Sequence, residues 1–113
     1  MASPKPTCAR RRKRRLSDHI ITREVRADGT KGRYAIRHDG TAAELTYSVT
    51  SPDLVIADHT GVPDAFRGTG AGLAMLTQMV DDARTEGFRI VPLCPFVNAM
   101  RKKHPEWADV FAV

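Results

Sequence analysis

Residues 54–94 constrain the fold more than any other part of the chain. An apolar run, "LVIA", leads through "HTGVP" and "DAF" into the glycine-rich "RGTGAG", then a long periodic stretch, then a second apolar run, "FRIVPLC". In the periodic stretch Leu73, Leu76, Val80 and Ala83 recur at three- and four-residue spacing, Met79 flanks them, and Asp81, Asp82, Arg84 and Glu86 fall largely off the stripe. That pattern predicts an amphipathic helix over residues 70–86, with Gly87 as its C-terminal glycine. Two apolar runs joined by a helical crossover form neighbouring parallel strands, since a short hairpin would make them antiparallel.

The remaining elements follow from shorter signals. "HIITREVRADG", "GRYAIRHDG" and "AAELTYSVTS" are rich in β-branched and aromatic residues, and "DG" ends the first two as a tight-turn signal, so three sequential antiparallel strands are expected. "FVNAMRKKH" predicts a short helix stopped by Pro105, and "EWADVFAV" an apolar tail that docks on the body through Trp107. With 113 residues and 42% hydrophobic composition the chain supports one core. The expected fold class is α/β, of the α+β kind. Its mixed sheet is mostly antiparallel, with a parallel pair formed by the fourth and fifth strands and helices on its faces.

Charge is divided unevenly. Residues 1–18 carry seven Lys and Arg side chains against Asp18, a net +6, so the other 95 residues carry −1 of the overall +5. This basic, proline-containing tail is expected to be disordered in the free protein, either as a solvated arm or as an electrostatic clamp on phosphates through residues 10–15. Residues 19–113 form the folded domain. Its seven aromatic residues make no stripe with basic ones, which argues against a nucleic-acid-binding body. Cys8 and Cys94 suggest no disulfide framework, so a reducing, cytoplasmic setting is expected. No run approaches the roughly 18 apolar residues of a membrane helix, the basic start lacks the apolar region of an export signal, and the His and Cys residues show no metal-ligand spacing.

The chemistry begins at "RGTGAG". Glycine allows a sharp turn and close approach of an anion to the backbone. A helix N-terminus supplies unpaired amides and the positive end of the dipole, which suits a diphosphate. Arg67 adds a fixed charge. A phosphate loop of the nucleoside-triphosphate kind needs a lysine after Gly72, and a dinucleotide fingerprint needs a glycine where Leu73 stands. Both are disfavoured.

The spacing Arg-x-x-Gly-x-Gly is met by Arg67, Gly70 and Gly72, with Val62 five residues before the arginine. Here the sequence resembles the GNAT superfamily of acyl-coenzyme A N-acyltransferases. "HTGVPDAFRGTGAG", a helix containing "DDAR", "VPLCPFV" and "HPEW" resemble its small single-domain acetyltransferase branch, over residues 19–110 by order of elements. The resemblance implies acetyl-coenzyme A as co-substrate, its pyrophosphate held by Arg67, Gly68, Thr69, Gly70, Ala71 and Gly72. It also implies a bulge that splays the fourth and fifth strands, with backbone amides of Thr60, Gly61 and Val62 polarising the thioester. Gly61 stands where that branch often has Glu, so no acidic role is carried to this position.

In that branch the cysteine matching Cys94 is taken as an active-site residue. A thiol could attack the thioester or protonate the departing sulfur, and either role needs exposure; a buried structural cysteine is the other reading. Pro92 and Pro95 favour opening of the sheet beside it. Asn98 and Arg101 are candidates for the pantetheine amides or phosphates, with an exposed polar helix face as the alternative. His59 could serve as a base, against a hydrogen-bonded structural role; His104 reads first as part of the helix stop. Three function classes follow. They are an acetyltransferase acting on an amine directly or through Cys94, a coenzyme A binding module with little catalysis, and a nucleic-acid-associated protein acting through its tail. The acceptor has no legible signature.

Overall fold

The computed structural model describes residues 20–38 and 40–113; the tail and its residues 10–15, Cys8 and the first residue of the "HIITREV" segment lie outside them. The elements run β1 (Thr22–Val25), β2 (Lys31–His38), β3 (Thr41–Ser51), β4 (Leu54–Gly61), α1 (Ala71–Glu86), β5 (Arg89–Val91) and α2 (Pro95–Lys103), with 3₁₀ turns at Asp64–Phe66 and Pro105–Val110. One five-stranded sheet has the order β1-β2-β3-β4-β5. The first three interfaces are antiparallel and β4/β5 is parallel, as the crossover requires.

Local chemistry sets the turns. Between β1 and β2 the Asp28 carboxylate accepts both the N–H and the hydroxyl of Thr30, at 3.0 and 2.8 Å, while the Arg26 N–H donates to the Lys31 carbonyl at 2.9 Å. Alternation along β2 and β3 then sends Tyr34, Ile36, Leu45 and Tyr47 into the core with Met75, Leu76, Met79 and Val80 of α1. Each such side chain contributes about 1.5–3 kcal/mol on leaving water. Met79, which flanks the predicted stripe, is fully buried, whereas Leu73 is only half-buried: the apolar face is turned toward Ala71, Met75 and Met79. Tyr34 stitches the sheet to α1, its hydroxyl donating to Asp82 Oδ2 at 2.7 Å. The other face of β1–β3 is polar, and Arg33 bridges Glu24 and Glu44 there at 2.8 Å each.

The bulge lies earlier than expected. Thr46 faces His59 and Tyr47 faces Ala57, which leaves Asp58 as the extra residue in β4, while Gly61 pairs in register with Glu44. A cross-strand bond holds it: the Asp58 carboxylate accepts the Ser48 hydroxyl at 2.6 Å, tethering the extra residue to β3. The C-terminal segment docks as anticipated. Phe111 bridges Ile90 in parallel, the Ala112 N–H donates to the Ile90 carbonyl at 2.8 Å, and Trp107 is buried against His104, ring centroids 4.2 Å apart.

Candidate functional site

Pairing between β4 and β5 ends at Ile56 and Val91. One further contact, the Cys94 N–H to the Ala57 carbonyl at 2.9 Å, ties the chain to β4 before it turns into α2. β4 itself continues through Asp58–Gly61 with no strand beside it on that side among the described residues. Pro92 and Pro95 flank the divergence, and neither has an N–H to extend a ladder. The result is a gap walled by β4 on one side and by Leu93, Cys94 and the start of α2 on the other. Two of the few exposed large apolar side chains, Val62 and Leu93, stand at the ends of these walls.

Thr60 and Cys94 meet across the gap, Oγ1 to Sγ 3.2 Å. Cys94 is only 2% exposed, so the thiol is not displayed as the sequence suggested. Its own amide is captured by Ala57 and its carbonyl accepts the Asn98 N–H at 2.9 Å as α2 begins, and these bonds draw the residue into the core cluster.

Beside the gap lies the start of α1. Gly68 and Gly70 have φ of 77° and 78°, the left-handed region that side chains resist, so both glycines serve the turn. The first intrahelical bond runs from the Ala74 N–H to the Gly70 carbonyl at 2.8 Å. The amides of Ala71, Gly72 and Leu73 therefore have no intrahelical partner. No acidic side chain occupies the first turn and no side chain caps it, leaving the positive end of the dipole uncompensated. Thr69 closes the turn through its hydroxyl, which donates to the Phe66 carbonyl at 2.6 Å. Arg67 is largely exposed at the rim and pairs with Asp64 at 2.7 Å.

Gly72 is glycine for a different reason. A Cβ there would stand 3.0 Å from Phe96 Cζ, so the residue exists to let α2 press on the first turn of α1. This contact sets the gap and the open amides side by side. Sequence reading assigned all three glycines to the anion; only Phe96, remote in sequence, distinguishes the third.

The other candidates separate. Asn98 lies one turn beyond Cys94, and its Oδ1 accepts Arg101 Nε at 2.8 Å. Arg101 does not converge on the loop: it lines a separate cavity with Arg89 and Lys102. His59 has an exposed ring on the sheet face away from α1. There its Nε2 lies 3.5 Å from where a Gly61 Cβ would be, with Glu44 nearby. The hydrogen-bonded structural role expected for it is not found, since its ring has no hydrogen-bond partner among the described residues. His104 does serve structure, stacked on Trp107 with Nδ1 2.9 Å from Glu106 Oε2. On the polar sheet face a cavity of about 600 Å³ reaches the bulge, lined by Glu24, Arg26, Lys31, Arg33, Thr46 and Asp58 among others; no sequence signal announced it. Among the described residues no three or more His, Cys, Asp or Glu form a metal site, and no helix is long and apolar enough to cross a membrane.

A family model described as GCN5-related N-acetyltransferase matches residues 33–110. The solution structure of a GCN5-like putative N-acetyltransferase from Staphylococcus aureus is similar over 85% of this chain and 90% of that one, with 30% identity and a TM-score of 0.65. Among curated proteins none matches.

Proposed function

Because the chain belongs to the GCN5-related N-acetyltransferase family, we propose that it transfers the acetyl group of acetyl-coenzyme A directly to an amine at the gap between β4 and β5. The observation that carries this reading is the adjacency of two features: strands that diverge after Ile56 and Val91, and an uncapped helix start with three open amides next to them. A diphosphate suits the amides of Ala71, Gly72 and Leu73, with Gly68, Thr69 and Gly70 shaping the turn and Arg67 supplying charge at the rim. An extended pantetheine arm suits the gap, where backbone amides of Thr60, Gly61 and Val62 are the candidates to polarise the thioester carbonyl.

In the reaction the amine nitrogen bonds to the thioester carbon, the carbon–sulfur bond breaks, and the sulfur takes up a proton from solvent. His59, exposed and with no hydrogen bond to its ring among the described residues, receives the proton that the amine loses. Cys94 lines the gap; with the Thr60 hydroxyl as donor in their contact, its S–H is free to hydrogen-bond the departing sulfur, which takes its proton from solvent. Its burial and its contact with Thr60 favour direct transfer over an acetyl-cysteine intermediate, because attack would require the thiol to leave that contact. The open polar face of the sheet is the side from which an acceptor would approach.

The test is mass spectrometry of the protein mixed with acetyl-coenzyme A, alone and with a panel of primary amines. Noncovalent binding followed by amine-dependent release of coenzyme A is expected. A stable acetyl adduct on Cys94 would replace direct transfer by a two-step route. Binding without turnover for every amine would leave a coenzyme A binding module.

A further inference from the structure

Arg101 is out of place at the acyl-transfer gap, and its actual neighbours form a second grouping. A cavity of about 320 Å³ on the far part of α2 is lined by Arg89, Arg101 and Lys102 over Pro105, Ala108, Phe111 and Val113. The three cations come from two elements, β5 and α2. None of them is ion-paired among the described residues, and no acidic side chain lines the cavity. This contrasts with the rest of the fold, where Arg23, Arg33, Arg37, Arg67 and Arg84 all have carboxylate partners.

Two of the cations are held in fixed orientation by neutral groups. Arg89 Nη2 donates to the Phe111 carbonyl at 2.8 Å, and Arg101 Nε donates to Asn98 Oδ1 at 2.8 Å. Each bond uses one edge of the guanidinium and leaves further N–H groups for a ligand. The negative end of the α2 dipole accounts for basic residues in its last turn, but not for Arg89, which stands on the neighbouring strand.

We infer that Arg89, Arg101 and Lys102 form an anion-binding site, separate from the acyl-transfer gap, for a phosphate or carboxylate carried on an apolar body that covers Pro105, Ala108 and Phe111. Arginine forks suit such oxygens bidentately, and the apolar floor has no use for a bare hydrated ion.

Phenyl phosphate is a suitable probe, followed by amide chemical shifts of the full chain in solution, with inorganic phosphate and benzyl alcohol as the charged and apolar halves. Saturable shifts are expected at Arg89, Arg101, Lys102 and Phe111, with phenyl phosphate binding more tightly than either half. The R101Q/K102Q double variant should weaken the probe by about tenfold or more, the worth of a charge-assisted hydrogen bond. Both side chains lie on the outer part of α2, and matching shifts elsewhere in the spectrum establish that the variant is folded. Saturating coenzyme A should leave the probe bound. Non-saturating shifts, equal binding by the double variant, or displacement of the probe by coenzyme A would each overturn the inference, the last by returning Arg101 to the coenzyme A site.

Discussion

Three glycines in six residues do different work. Gly68 and Gly70 are required by a left-handed backbone, and Gly72 by the Phe96 ring. Gly72→Ala should therefore cost stability by overpacking, about 1–3 kcal/mol, measured by urea unfolding, and Phe96→Leu on the same background should recover part of it. Gly70→Val strains the backbone, so lost coenzyme A affinity there would not isolate the anion site. Gly70→Asn, which tolerates the left-handed region, should bind more tightly than Gly70→Val. Cys94 carries the second residue-scale prediction. In a Cys8→Ser background its burial should make reaction with a thiol reagent slow in the native protein and fast in denaturant. Rapid native labelling would mean that the gap opens widely without ligand. Cys94→Ala should leave coenzyme A binding near its original value and lower turnover, the split expected of a group that acts on the departing sulfur.

At the scale of elements, legibility followed the range of the signal. The order of strands and helices was readable because periodicity, Gly87 and Pro105 act within a few residues. The bulge was not, because it depends on Ser48 reaching Asp58 across strands; the sequence pointed instead to Gly61, which is regular. The burial of Cys94 depends likewise on Ala57, and the grouping of Arg89 with Arg101 on the Pro105–Val110 turn, which packs against both α2 and β5. The junction of sheet and α1 gives an element-scale prediction. Burial first, and then the hydrogen bond to Asp82, hold the Tyr34 phenol neutral well above its ordinary range. A folded pKa above the unfolded one means that the native state keeps a proton the unfolded chain gives up. Stability is thus complete below pH of about 10 and falls as pH rises beyond it. Tyr34→Phe should flatten that alkaline fall in pH-dependent unfolding while losing the bond to Asp82, and an unchanged profile would show that Tyr34 is not the group responsible.

For the whole molecule, the loop and the gap both rest on the core that unfolds with them, so ligand binding and global stability are linked. The gap is walled by β4 and α2, and the open amides belong to α1, whose Met75, Leu76 and Met79 are fully buried; unfolding destroys the site. Acetyl-coenzyme A at a hundredfold over its Kd should then add about 2.7 kcal/mol. For a domain of this size that amounts to a rise in Tm on the order of 10 °C or more. Arg67→Glu should reduce the rise without lowering the Tm of the free protein, since the Arg67–Asp64 pair is largely exposed and such pairs contribute little. The separation of charge along the chain supplies the control. Residues 1–18 hold a net +6 and the rest −1, so a protein of residues 19–113 should keep the full ligand-induced rise and lose any salt-sensitive binding to DNA. If removal of residues 1–18 abolished the thermal shift as well, the tail would belong to the coenzyme A site and the assignment of the diphosphate to the start of α1 would fall.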